Sequence, residues 1–175
     1  IYDVKRLTTH GGSLRIYGCH KSKNTQIKKS VNEILSEEER FGLQDIKAYK
    51  KLQNKAYLIR NQLLNFLIEQ KNNNKRVACY GAAAKGNTLL NFSGIGSNLI
   101  DFVCDMATLK QNKFLPGSHI PIKSPEELRI KPPDSIIILP WNLSEEIKIF
   151  LKDFLLKDTN IITFIPEFKS YKLEV

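Results

Sequence analysis

The sequence predicts an α/β fold: a mostly parallel sheet with helices on both faces. Three observations predict it. Short apolar runs at 76–80, 99–104, 135–139 and 161–165 alternate with segments carrying helical signals, the order that parallel crossover connections produce. The run Ser135-Ile-Ile-Ile-Leu139 is continuously apolar, as expected of a strand covered on both sides. The run 76–80 breaks at Gly81 and re-enters as an Ala/Leu-rich helix, the strand–turn–helix joint of a doubly wound, Rossmann-like sheet.

The elements follow in order. Residues 1–20 read as a β-hairpin, with alternation over 1–7, a turn at Thr8-Thr-His-Gly-Gly12 and a return over 13–17. Such a hairpin is marginal alone and needs a partner. It is expected to pack on the α/β domain and the long helix, or to pair with a neighbouring chain. From about Asn24 the period becomes helical through Ile27, Val31, Ile34 and Leu35, followed by the charged run 37–40 and a break near Gly42. Leu43, Ile46, Tyr49, Leu52, Ala56, Ile59, Leu63 and Phe66 then mark one long amphipathic helix over 43–71, ended by Asn72-Asn-Asn74. Its stripe is a packing surface.

Strand 76–80 leads into a helix over 83–92, and Gly94-Ile-Gly96 separates that helix from strand 99–104, which ends at Asp105. A Pro/Gly-marked loop with a short strand occupies 115–122. Ser124-Pro-Glu-Glu127 combines an N-cap serine, proline at the first helical position and acids in the first turn, so a helix starts there. Strand 135–139, the loop Pro140-Trp-Asn142, helix 144–156 and strand 161–165 complete the pattern. The division is therefore a hairpin at 1–20, packing helices at 21–74 and a Rossmann-like domain at 75–170.

Composition narrows the function. The formal charge of +9 lies almost wholly on the first part: residues 21–76 hold thirteen Lys/Arg against six acids, whereas residues 77–175 hold eleven of each. These lysines alternate with Asn, Gln and Glu without interleaved aromatics, the pattern of a solvated helix face rather than a nucleic-acid interface. No apolar run approaches the ~20 residues of a membrane span, and no signal peptide opens the chain. Cys19, Cys79 and Cys104 are isolated; Cys79 and Cys104 fall within predicted strands, as small core thiols in a reducing cytoplasm, and His10, His20 and His119 lack metal-ligand spacing, so no metal site is expected. The first residue is Ile, as in part of a longer polypeptide.

The chemistry concentrates at the glycine turn. A helix starting directly after a strand presents free N–H groups at its positive end, a seat for phosphate. Gly81, Ala82 and Ala83 let a ligand approach the backbone, and Gly86 lets helix and strand pack tightly. Lys85 adds a positive charge, and Asn87 and Thr88 add short polar groups. Ala83 occupies the middle glycine of G-x-G-x-x-G, and Lys85 stands one place early for a P-loop, which argues against a magnesium-dependent NTPase. Ligands of such sheets bind beyond the strands' carboxyl ends. Asp105, His119, Pro140, Trp141 and Asn142 fall at the same edge. Asp105 follows Gly81 by 24 residues, near the place of a ribose-binding acid, or is a solvated strand-end aspartate. Trp141 is either a stacking surface for a flat ring or a core anchor. His119 is a phosphate or sugar contact or an ordinary loop residue.

Four segments carry a family resemblance: YGAAAKGNTLLN at 80–91, LPGSHIPI at 115–122, ILPWNL at 138–143 and THGGSLR at 9–15. Together, in this order, they resemble the C-terminal part of bacterial sugar C-methyltransferases. The resemblance implies a parent enzyme that uses S-adenosylmethionine to methylate a carbon beside the keto group of a nucleotide-linked deoxysugar. It implies an upstream methyl-donor domain and a zinc module in the same polypeptide, neither site being carried by this chain. By resemblance the chain is the substrate-binding half, inactive alone, with Gly81–Thr88 anchoring the diphosphate of a dTDP-linked ketodeoxysugar, and with His10 and Arg15 near the donor-domain interface. Two other readings stand beside it: an NAD(P)- or CoA-binding module, supported by Asp105, and a non-catalytic scaffold that packs or self-associates through the long helix or the hairpin.

Overall fold

Alternation in the first residues yields the hairpin. In the computed structural model, which describes residues 1–155 and 158–173, Asp3–Leu7 (β1) pairs antiparallel with Ser13–Tyr17 (β2) around a 3-10 turn at Thr9–Gly11. The helix that follows spans Lys29–Phe41 (α1) and absorbs the charged run 37–40, while Ile27 stays outside it and exposed. Within its own unit the hairpin is held by α1 and the residue before it. The Asp3 carboxylate accepts from Lys28 Nζ at 2.8 Å and from Ser30 Oγ at 2.7 Å, and the Lys28 amide donates to the Tyr2 carbonyl at 2.8 Å. Asp3 is the buried polar residue of this region, and its carboxyl is held below the ordinary range by those two hydrogen bonds.

The long helix spans Ile46–Asn72 (α2). Its apolar stripe divides in two: Leu63 and Leu67 are fully buried, whereas Ile46, Tyr49 and Leu52 are exposed. Contacts partition the chain within this helix into two compact units, Ile1–Lys55 and Ala56–Val175. Neither apolar core cluster contains a residue before position 59.

The second unit is built on a six-stranded sheet. Its strands are Val77–Tyr80 (β3), Val103–Cys104 (β4), Ile122–Lys123 (β5), Ser135–Ile138 (β6), Thr159–Thr163 (β7) and Lys169–Leu173 (β8). They lie in the order β5-β4-β3-β6-β7-β8, with every neighbouring pair parallel except β7 and β8. Strand order reverses between β3 and β6, so the crevice beyond those two carboxyl ends is the topological switch point. Side chains alternate across β3: Val77 and Cys79 enter one core cluster, Ala78 and Tyr80 the other. The first face is covered by α2 and Ala84–Phe92 (α3) through Leu63, Leu67 and Leu90. The second is covered by the one-turn helix Glu127–Ile130 (α4) and by Ser144–Leu151 (α5) through Leu128, Ile147 and Leu151.

Boundaries differ from expectation for local reasons. β4 is two residues long, because only Val103 and Cys104 complete ladders with both neighbours. At the start of α4 the Ser124 hydroxyl bonds the Glu126 carboxylate, lowering its pKa, while the Ser124 carbonyl accepts the Glu127 amide in a preceding turn. α5 ends at Leu151, with a turn continuing to Leu155; the expected end at Leu156 lies outside the described residues. β8 is an antiparallel addition at the sheet edge that no hydrophobic pattern announced, since Leu173 is its one buried residue.

Candidate functional site

The glycine turn closes β3 and opens α3. Gly81 has φ +87°, a left-handed conformation, and a Cβ there would lie 2.4 Å from Pro140 Cγ. No side chain with a substituent fits that position. Gly86, on the first turn of α3, packs against the residue that follows β6: its Cβ would meet Leu139 Cβ at 2.4 Å. Glycine at 81 thus turns the chain, and glycine at 86 sets how closely helix and sheet approach. At the helix start, Ala83 supplies no side-chain cap, and the Asn87 amide is the first to bond backward, to the Ala83 carbonyl at 2.9 Å. The amides of Ala84, Lys85 and Gly86 have no partner among the described residues.

Asp105 holds the turn in place. One carboxylate oxygen accepts from the Ala82 amide at 2.7 Å and from Lys110 Nζ at 2.9 Å, and the other accepts from the Ala107 amide at 2.8 Å. Lys110 Nζ also donates to the Ala82 carbonyl at 3.1 Å. Asp105 is buried, and its oxygens are committed to this network. It ties the ends of β3 and β4 together, and its burial rules out the solvated reading.

On the other flank, Lys85 Nζ donates to Asn142 Oδ1 and stands 4.8 Å from the centre of the Trp141 ring. The structure therefore brings together Gly81, Ala82, Ala83, Lys85, Gly86, Asp105, Pro140, Trp141 and Asn142. The Thr88 hydroxyl donates back to the Ala84 carbonyl at 3.1 Å, and Asn87 accepts from Asn91 at 2.9 Å through its carbonyl. Asn91 in turn donates to the Pro116 carbonyl at 3.0 Å, tying the loop 115–119 to α3. His119 is exposed on that loop with φ 53°, and its ring makes no hydrogen bond among the described residues. His10 lies in the hairpin turn, and Arg15 is exposed on β2 opposite Lys5; both belong to the first unit.

Sequence reasoning missed the connection between β4 and β5. Leu109, Lys110, Lys113 and Phe114 form one wall of a groove of about 560 Å³ whose other wall is Ala82–Ala84 and Asn87. The available clue was two lysines and an aromatic within ten residues of Asp105, at the edge already singled out.

The groups buried nearby are chemically quiet. Burial pushes the Cys104 thiol up to about 12, with the Glu127, Glu126 and Asp105 carboxylates adding to it, and burial likewise raises the Cys79 thiol. Burial also takes the Tyr80 hydroxyl to about 12, with a further contribution from the Asp105 charge. Near neutral pH these groups stay protonated, so neither thiol is a ready nucleophile. Among the described residues no three His, Cys, Asp or Glu gather as metal ligands, and no helix is long and apolar enough to cross a membrane. The arrangement leaves three backbone N–H groups at the start of α3 without a partner among the described residues.

The family model described as "C-methyltransferase C-terminal domain" matches residues 8–166. The chain is 35% identical over 167 residues to C-methyltransferase NovU of Streptomyces niveus, an alignment that covers 95% of this chain and 40% of that protein. The chain thus spans about 40% of the length of the curated relative it matches.

Proposed function

The chain belongs to the C-methyltransferase C-terminal domain family, and from that premise we propose that it is the substrate-holding part of a longer sugar C-methyltransferase. In this reading the start of α3 seats the diphosphate of a dTDP-linked ketodeoxysugar, while the rest of the polypeptide transfers a methyl group to carbon. The observation that carries it is the set of unpartnered Ala84, Lys85 and Gly86 amides behind small side chains at Ala82 and Ala83.

The division of labour follows from the chemistry. Carbon methylation needs a base for the proton beside the ketone, stabilisation of the enolate, and a donor held in line with the carbanion. The residues around the turn suit none of those steps: the buried thiols Cys79 and Cys104 are protonated and the best-placed carboxylate is tied up. They suit positioning, with the turn gripping a charged group remote from the reacting carbon. S-adenosylmethionine supplies the methyl group in this reading. The residues here do not fit it, because a Rossmann sheet would hold the donor's ribose through an acid such as Asp105, whose oxygens accept from Ala82, Ala107 and Lys110. The same observation weighs against a nicotinamide or CoA site. The donor and any structural zinc are assigned to the upstream part of the parent.

Titrating dTDP into the 175-residue chain should move the amide signals of Gly81–Thr88, and Lys85→Ala should weaken binding about tenfold, the effect of one charge-assisted contact. The chain alone should not turn over labelled S-adenosylmethionine with a ketosugar nucleotide. Signal changes confined elsewhere, or none at millimolar dTDP, would sink the reading. One observation favours a second reading as a packing or self-association element: the exposed stripe Ile46, Tyr49 and Leu52 on α2. That reading predicts dimers that Leu52→Asp dissolves.

A further inference from the structure

The switch-point crevice is closed on one flank of the glycine turn. Pro140 packs against Gly81, and Trp141 and Asn142 are engaged by Lys85. The open space lies on the other flank, in the groove between Ala82–Asn87 and the β4–β5 connection. Its volume of about 560 Å³ falls within the ~300–1,000 Å³ typical of small-molecule sites.

We propose that this groove takes the nucleoside end of the nucleotide-linked substrate, with Phe114 packing on the base and Lys110 and Lys113 facing the phosphates. The proposal rests on the reading of the turn as a diphosphate anchor and adds the direction in which the substrate lies across it. The groove wall is mostly apolar: Leu109, Phe114, Leu115, Pro116 and Ile122 line it. A hydroxyl-rich sugar would leave its donors and acceptors unmatched on such a wall, whereas a planar base buries its faces there. Phe114 is 62% exposed, although its backbone is pinned by a bridge to Pro121, so an open aromatic face is held on an ordered segment.

The charges agree. No carboxylate is among the residues that line the groove, and two lysines are. Lys113 forms no ion pair among the described residues. Lys110 is fixed against the turn by Asp105 and the Ala82 carbonyl, and it lines the same groove. A base in the groove therefore places its phosphates between two cations and the unpartnered amides. Trp141, the chain's other candidate for stacking, already carries the Lys85 ammonium over its ring.

The test compares dTDP with inorganic pyrophosphate on the full chain, followed by amide shifts and calorimetry, in the native sequence and in Phe114→Ala and Lys113→Gln. Stacking on one aromatic is lost on truncation at a cost of roughly tenfold in affinity. The expected result is tighter binding of dTDP than of pyrophosphate, shifts at Phe114 and Leu115 with dTDP only, and a roughly tenfold loss of dTDP affinity in Phe114→Ala with pyrophosphate unchanged. Lys113→Gln should weaken both. Equal binding of the two probes at Gly81–Thr88, with Phe114→Ala indifferent, would overturn the groove assignment while leaving the anchor intact. Binding of neither probe would overturn both.

Discussion

At the scale of single residues, the site depends on two glycines that fail for different reasons. Gly81 combines a positive φ with the Pro140 ring at 2.4 Å from any added Cβ, so Gly81→Ala meets backbone strain and overpacking together. Gly86 has an ordinary helical backbone and meets only Leu139. Gly81→Ala should lower stability by about 2–4 kcal/mol and Gly86→Ala by about 1–3 kcal/mol, measured by urea unfolding. An equal, negligible effect of both would mean that the turn relaxes freely. Both glycines were legible in the sequence, because a strand that stops at glycine and restarts as helix has few alternatives. Asp105 was legible only as a strand-end acid. Its partners Ala82, Ala107 and Lys110 come from the turn and from the next connection, and no spacing rule brings those together.

At the scale of elements, the hairpin and α1 are joined through one titrating pair. Asp3 is held below its ordinary value of 3.8 by the Lys28 and Ser30 hydrogen bonds, and Lys28 is raised above 10.5 by Asp3. A depressed carboxyl contributes stability that is fully present above its unfolded value and is lost as pH falls through the folded one. A raised lysine contributes stability that is full below its unfolded value and lost as pH rises through the folded one. The hairpin should therefore stay docked on α1 between those limits and loosen below pH 3.8 and above pH 10.5. Amide exchange at Val4, whose N–H reaches Ser30 Oγ at 3.3 Å, reports it. Asp3→Asn should remove the acid limb, and an unchanged profile in that variant would refute the assignment. The hairpin itself was readable from alternation and the Gly-Gly turn. Its attachment was not, since it runs through a polar trio spread over 27 residues of sequence, outside any hydrophobic periodicity.

At the scale of the whole molecule, apolar burial is unevenly shared. The two core clusters begin at Ile59, whereas Phe41, Ile46, Tyr49 and Leu52 are exposed. Amides of β3 and β6 should be the slowest to exchange, near the global limit, and those of β1 and β2 faster by orders of magnitude. Uniform protection across the chain would show a single cooperative unit instead. The α/β sheet was legible because Val77–Tyr80 and Ser135–Ile138 are short, mostly apolar runs, and both are buried at every position. The last strand was not, because Lys169–Leu173 lies at an edge and carries polar residues on nearly every position. The long stripe on α2 reads as one surface by periodicity, yet packing uses only its second half. Periodicity states which residues share a face and says nothing about how far along it a partner extends.

The ammonium of Lys85 over the ring of Trp141 has an optical consequence. Trp141 is the only tryptophan in the chain, so its indole emission comes from one place, beside the mouth of the glycine turn. A cation over an indole ring perturbs the excited state, and removing that cation changes both colour and yield. An anion that draws Lys85 toward the start of α3 therefore changes the emission of the unlabelled protein. One that binds through Lys110 and Lys113 alone leaves the spectrum where it was. The chain carries its own dye, at a position that tells the two flanks of the turn apart.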